Sequence, residues 1–169
     1  GESYLFDNAK LYAKWMQDIE ESQTEEGAIP DVAPAFWNYY SDDVTWPAAF
    51  ITISNNLYNQ FGDITPIQKH YAAMKKWMEY MKNKYTKDYI VTRDKYGDWC
   101  VPPEDLKLIH AKDSSRLTDG KLIATAYYFK LLSYMQRFAK LTGNDADSKE
   151  YELLAENMRK AFHKKFYNP

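Results

Sequence analysis

Five stretches of the chain repeat apolar residues at the three- and four-residue spacing of a helical face, and they predict helices at about 3–22, 47–61, 66–84, 121–141 and 147–167. In the first, Leu5, Ala9, Tyr12, Met16 and Ile19 share one side, with Lys10, Lys14, Gln17, Asp18 and Glu21 elsewhere. The third sets Ile67, Tyr71, Met74, Met78 and Met81 against Lys75, Lys76, Glu79 and Lys82. The fifth sets Tyr151, Leu154, Ala155, Met158 and Phe162 against Lys149, Glu152, Glu156, Arg159 and Lys160. These three are amphipathic, as helices with one wet side should be. The second (Ala48, Ala49, Phe50, Ile51, Ile53, Leu57, Tyr58, Phe61) and the fourth (Leu122 to Phe138) are apolar nearly all round. Such helices should be buried on most sides. Pro47 suits a first turn, Thr65-Pro66-Ile67-Gln68 suits a capping box, and Gly62 and Gly143 suit helix ends.

The order is outer, inner, outer, inner, outer, the pattern of antiparallel helical hairpins in two layers, an all-α class distinct from a four-helix bundle. A faint repeat supports it: Phe61-Gly62-Asp63 followed by Lys69-His70-Tyr71 is matched by Gly143-Asn144-Asp145 followed by Lys149-Glu150-Tyr151. The turns inside each repeat are short, whereas the connections at about 23–46 and 85–120 are long, a length usually associated with function or disorder. Consecutive helices run antiparallel, so both long connections should share one face with the N-terminal ends of the two inner helices.

Composition sharpens that face. The 169 residues include 5 Trp, 15 Tyr and 8 Phe, and many of these rings fall in the two long loops rather than the helices. The first loop carries Phe36, Trp37, Tyr39, Tyr40, Asp42, Asp43 and Trp46; the second carries Tyr89, Asp94, Tyr96, Asp98, Trp99, Glu104, Asp105, His110, Arg116 and Asp119. Rings beside carboxylates suit a sugar, whose C–H faces stack on aromatics while its hydroxyls need acceptors. The alternative is that Trp37, Trp46 and Trp99 plug the ends of the inner helices. The formal charge of −2 gives no field to recruit nucleic acid or an anionic membrane, and no apolar stretch has the length of a membrane span. A single cysteine, Cys100, and three scattered histidines offer no metal-ligand spacing, so neither metal nor cofactor is expected. Met74, Met78 and Met81 are expected in the core, and Lys75, Lys76, Lys82, Lys164 and Lys165 on wet outer faces.

The ordered set Tyr12-Ala13-Lys14-Trp15-Met16-Gln17-Asp18-Ile19, Gln23, Gly27, Ile29-Pro30, Ala33-Pro34, Trp46, Leu57-Tyr58, Phe61-Gly62-Asp63, Tyr71, Met74, Trp77, Gly97-Asp98-Trp99 and Ala126-Tyr127-Tyr128 resembles the catalytic domain of bacterial α-L-rhamnosidases, glycoside hydrolase family 78. The resemblance implies an (α/α)6 toroid, of which this chain would be a middle portion, and a parent that removes terminal α-L-rhamnose with inversion. It implies that the general acid and the general base, both glutamates, lie outside this segment, so no catalytic residue is expected within it. It implies substrate walls at Trp46 and Trp99, with Asp98 either accepting from a hydroxyl or organising its loop, and further substrate contacts at Trp37, Asp43 and Glu104. His110 and Arg116 are read as solvated. Where the family often has Trp-x-Asp-Ala, this chain has Trp46-Pro47-Ala48-Ala49; Asp42 or Asp43 are the alternatives for the missing carboxylate. The implied partners are a rhamnose-containing carbohydrate or glycoside and the rest of the catalytic domain, whose absence should leave apolar flanks on the inner helices. Rival readings are another six-hairpin glycosidase and a helical-repeat scaffold that binds protein.

Overall fold

Two glycines in the left-handed region, Gly62 at φ 67° and Gly143 at φ 77°, end one helix of a hairpin and let the chain turn into the next. They divide the computed structural model, which describes residues 5–97 and 118–167, into the hairpins α2 (Ala49–Phe61) with α3 (Thr65–Tyr85) and α4 (Gly120–Leu141) with α5 (Asp145–Phe166), preceded by α1 (Ala9–Glu21). α1 packs on both α2 and α3, and α4 joins the two hairpins through contacts with α2 and α3. The repeat read from the sequence is a structural repeat as well: Tyr71 in α3 and Tyr151 in α5 are both buried.

The core runs along α2, α3 and α4, with Phe50, Leu57, Ile67, Met74, Trp77, Met78, Met81, Tyr128, Leu131 and Phe138 removed from water. Each large apolar side chain so buried stabilises the fold by about 1.5–3 kcal/mol relative to its exposure. The buried Tyr128 hydroxyl is satisfied by the Met78 carbonyl at 2.8 Å, which also fixes α4 against α3.

The structure corrects several details. The first helix begins at Ala9, not near residue 3, and α2 begins at Ala49 after a tight turn through Trp46 and Pro47. The capping box at Thr65 does not form; Asp63 accepts from the Thr65 amide at 2.9 Å instead. Ten residues of α3 are buried, too many for a helix with one apolar stripe. Those beyond the predicted stripe include Trp77 and two polar-tipped residues with partners, His70, which bonds Glu20 of α1, and Tyr80, which bonds Asp42; Tyr71, on the stripe, likewise bonds Asp147 of α5. Conversely α4, read as apolar on all sides, leaves Tyr127 and Phe129 exposed. The second long connection is not wholly irregular. It opens with an antiparallel ribbon, β1 (Thr86–Lys87) and β2 (Ile90–Val91), with Thr86 opposite Val91. Its two-residue turn puts Asp88 and Tyr89 at positive φ, the geometry of a primed hairpin turn. Among the described residues no helix is long and apolar enough to cross a membrane.

Candidate functional site

The first long connection is held down along its length. Trp15 donates from Nε1 to the Ala33 carbonyl at 2.9 Å, Tyr40 donates to the Ser22 carbonyl at 2.7 Å, and Gln23 reaches the Ala73 carbonyl of α3 at 3.0 Å. Gly27 lies so close to α3 that a Cβ there would sit 2.8 Å from the Lys76 carbonyl oxygen, and its φ of 108° excludes most side chains anyway. The loop is therefore a fixed platform rather than a tether.

Its far end meets the chain that leaves the ribbon, and the seam is built on carboxylates. Asp43 is fully buried. One of its oxygens accepts from the Thr45 amide at 2.7 Å, the Thr45 hydroxyl and the Trp46 amide at 3.1 Å; the other accepts from the Lys95 and Tyr96 amides at 2.9 and 3.3 Å. One carboxylate thus caps the turn that leads into α2 and anchors the second loop to it. Asp31, also buried, accepts from the Ser41 hydroxyl at 2.7 Å and from the Tyr96 hydroxyl at 2.9 Å. Burial, and next the Asp31 carboxylate that takes its hydrogen bond, push the Tyr96 phenol up to about 12, so it is a protonated donor at neutral pH. Arg93 closes the seam with two donors to the Ser41 carbonyl, at 2.8 and 2.6 Å.

On this seam the rings are assembled. Trp46 and Tyr96 stack with centroids 4.6 Å apart and planes 30° from parallel, and the Lys95 ammonium sits 4.0 Å from the Tyr39 ring centroid and 5.0 Å from that of Tyr96. Trp46 remains 39% exposed, so part of its surface is offered to solvent. The two long connections do share one face, and it carries aromatic surface with a cation beside it. Such a surface can stack on the apolar side of a sugar.

The predicted site residues fall into three groups. Trp46 lies at the centre of the seam. Asp43 lies directly beneath it, but both oxygens are occupied by protein donors, so in this arrangement it orients Trp46 and Tyr96 rather than facing outward. Trp37 is 73% exposed and packs edge-on against Phe36 at 5.3 Å. Asp98, Trp99 and Glu104 lie outside the described residues, as do Cys100, His110 and Arg116. Asp42, the other alternative for the missing carboxylate, accepts from the Tyr80 hydroxyl at 2.9 Å and from the Tyr85 hydroxyl, and is turned toward the end of α3. Sequence reasoning missed Asp31, Arg93 and Lys95. No pattern marks a buried loop carboxylate, although Arg93, Asp94 and Lys95 ahead of a loop aromatic formed a cluster that could have been noted. Among the described residues no group of three or more His, Cys, Asp or Glu side chains is placed to hold a metal.

Comparison with known proteins matches the whole chain, residues 1–169, to the model of the bacterial alpha-L-rhamnosidase 6 hairpin glycosidase domain. The chain is similar to an alpha-L-rhamnosidase of Streptomyces avermitilis, 30% identical over 160 residues that cover 95% of this chain and 14% of that protein. The structure of alpha-L-rhamnosidase from Dictyoglumus thermophilum superposes with a TM-score of 0.85 at 39% identity, over 96% of this chain and 17% of that one. The Streptomyces avermitilis alpha-L-rhamnosidase complexed with L-rhamnose gives a TM-score of 0.82 at 28% identity, over 96% of this chain and 14% of that one. The chain spans between 14% and 18% of the length of the curated relatives it matches.

Proposed function

The chain belongs to the bacterial alpha-L-rhamnosidase six-hairpin glycosidase domain family, and from that premise we propose that it is a portion of an enzyme that hydrolyses terminal α-L-rhamnosides with inversion. In such a reaction one carboxylic acid protonates the leaving oxygen and a second carboxylate activates water on the opposite face of the ring, the two about 6.5–9.5 Å apart. Both groups lie outside this segment in our reading. The segment's contribution is a wall of the sugar site.

The observation that carries this role is the half-exposed Trp46 stacked on Tyr96 over a fully buried Asp43. A rhamnose ring has an apolar face and a C6 methyl group, and a fixed indole is a suitable counterpart for both. Preorganisation matters here, because a wall already held in place need not be ordered when substrate binds. Trp46 is the direct contact, Tyr96 its support and Asp43 a positioning residue. Trp37, exposed at the end of the same platform, is proposed to meet the part of the glycoside beyond the rhamnose; Asp98, Trp99 and Glu104 keep the substrate-binding roles that the family resemblance implies.

Replacing Trp46 with Ala in the full-length enzyme should lower kcat/KM on an aryl α-L-rhamnoside at least about tenfold, equivalent to about 1.4 kcal/mol of transition-state binding. Wild-type kinetics in that variant would remove Trp46 from the site. A wild-type enzyme inactive on aryl rhamnosides yet active on another aryl glycoside would overturn the substrate assignment.

A further inference from the structure

Ser41, Asp42 and Asp43 are consecutive, yet each is bonded to a different part of the molecule. The Ser41 carbonyl takes both Arg93 donors, Asp43 holds the Trp46 amide together with those of Lys95 and Tyr96, and Asp42 turns to the end of α3. The backbone allows this divergence at Asp42, whose φ of 58° lies in the left-handed region. That conformation is uncommon outside glycine, although Asp tolerates it better than most residues. It persists only where surrounding contacts over-determine it.

Those contacts form a closed cluster of four side chains. Asp42 accepts from the Tyr80 hydroxyl at 2.9 Å and from the Tyr85 hydroxyl, with the Lys84 ammonium 3.7 Å away. Lys84 also donates to the Tyr80 oxygen at 2.6 Å and lies 4.8 and 5.3 Å from the centroids of the two rings, which meet edge-on at 6.0 Å. Burial, and next the hydrogen bond to Asp42, push the Tyr85 phenol up to about 12, so it stays a donor at neutral pH. Tyr85 is fixed to the second loop as well: its carbonyl accepts from the Thr92 amide at 2.8 Å and from the Thr92 hydroxyl at 2.9 Å, where the chain leaves the ribbon. The cluster therefore ties α3 to both loops.

Helix stability explains Lys84 and not the acid. Lys84 lies in the last turn of α3, where a cation complements the negative end of the helix dipole, whereas a carboxylate is disfavoured there. Positions where a residue breaks a local rule are where function is sought first. We propose that Asp42 is a positioning residue of the sugar site: held in its left-handed conformation by Tyr80, Tyr85 and Lys84, it sets the angle at which Asp43 enters beneath Trp46, and so the plane of the indole that meets the rhamnose. The inference deepens the reading of Trp46 as a wall of a rhamnoside hydrolase and rests on it.

The test uses the full-length enzyme labelled with fluorotryptophan, its Asp42→Gly and Asp42→Asn variants, and Asp42→Gly combined with Trp46→Ala. Glycine keeps the left-handed backbone and loses the carboxylate, whereas asparagine keeps the backbone and one acceptor oxygen. The fluorine resonance of Trp46, identified as the one missing from Trp46→Phe, should shift or broaden in Asp42→Gly and return toward its wild-type position in Asp42→Asn. On an aryl α-L-rhamnoside, Asp42→Gly should lower kcat/KM about fivefold, and the loss should shrink to within about twofold when Trp46 is already alanine, because the two residues act as one unit. A Trp46 resonance indifferent to Asp42→Gly would overturn the positioning role. So would a moved resonance with unchanged kcat/KM, or a loss of kcat/KM equal in size with and without the indole, which would mark Asp42 as a residue of general stability. A resonance that moves in an enzyme inactive on rhamnosides would leave Asp42 positioning Trp46 and remove the hydrolase reading instead.

Discussion

Asp43 accepts five hydrogen bonds while wholly buried, and all five donors belong to residues of the ring wall or their neighbours. A carboxylate in that position is costly unless every lone pair is used, which here they are. Asp43→Ala strands four backbone amides and the Thr45 hydroxyl, each costing about 1–3 kcal/mol when left unsatisfied, so a loss of about 3 kcal/mol or more of stability is expected in denaturant unfolding of the full-length protein. Asp43→Asn keeps one acceptor oxygen and should lose less, with KM on an aryl rhamnoside raised because Tyr96 is released. Equal stability of Asp43→Ala and wild type would show that the seam contributes nothing. Its importance is invisible in the sequence: Asp42 and Asp43 are adjacent and chemically identical, and only the fold turns one toward Tyr80 and Tyr85 and the other beneath Trp46.

Helices, in contrast, were legible wherever the period of apolar residues was clean. Both hairpins and their glycine turns follow from it. Failures arose where the side chain's polarity misled. Tyr71 lies on the apolar face that the spacing marks and His70 and Tyr80 lie off it, yet each of the three buries its ring and sends its polar atom to an acid on another element. The α3–α5 contact shows the effect most fully: Asp147 accepts from the Tyr71 hydroxyl at 2.9 Å and from the Lys75 ammonium at 2.8 Å. Burial alone would raise Asp147, but the hydrogen bonds from Lys75 and Tyr71 outweigh it and hold the carboxyl below its usual range. Lys75 is raised in turn, chiefly by its hydrogen bond to Asp147. A depressed aspartate contributes stability that is present above the ordinary value of about 4 and is lost as pH falls through the lower native value. A raised lysine contributes stability present below about 10.4 and lost as pH rises through the higher native value. Asp147→Asn should therefore destabilise the fold by about 1.5–3 kcal/mol at pH 7 and weaken the fall of thermal midpoint on both the acid side below pH 4 and the alkaline side above pH 10. A variant whose stability parallels wild type across both limbs would remove this cluster as the link between the hairpins. The ribbon escaped the pattern for a different reason: its turn uses Asp88-Tyr89 rather than the Asn-Gly or Asp-Gly that positive φ favours.

At the scale of the whole molecule, helix order and antiparallel alternation were enough to place the two long connections on one face, but not to say whether they touch. They do, through Asp31, Asp43 and Arg93 and the Trp46–Tyr96 stack, and this turns two loops into one surface. If the seam is cooperative, the loops should open together and not one by one. Tyr96→Phe keeps the stack and removes the hydroxyl that donates to Asp31 across the seam, leaving that buried carboxylate oxygen short of a donor at a cost of about 1–2 kcal/mol. Native-state hydrogen exchange in the full-length protein should then quicken by about tenfold at the Asp31 and Ser41 amides of the first loop and at the Lys95 amide of the second, all three by a similar factor, while amides in the middle of α3 keep their wild-type rates. Faster exchange at Ser41 with Lys95 unchanged would mean that the loops open separately, and the ring wall would then be a meeting of two independent parts.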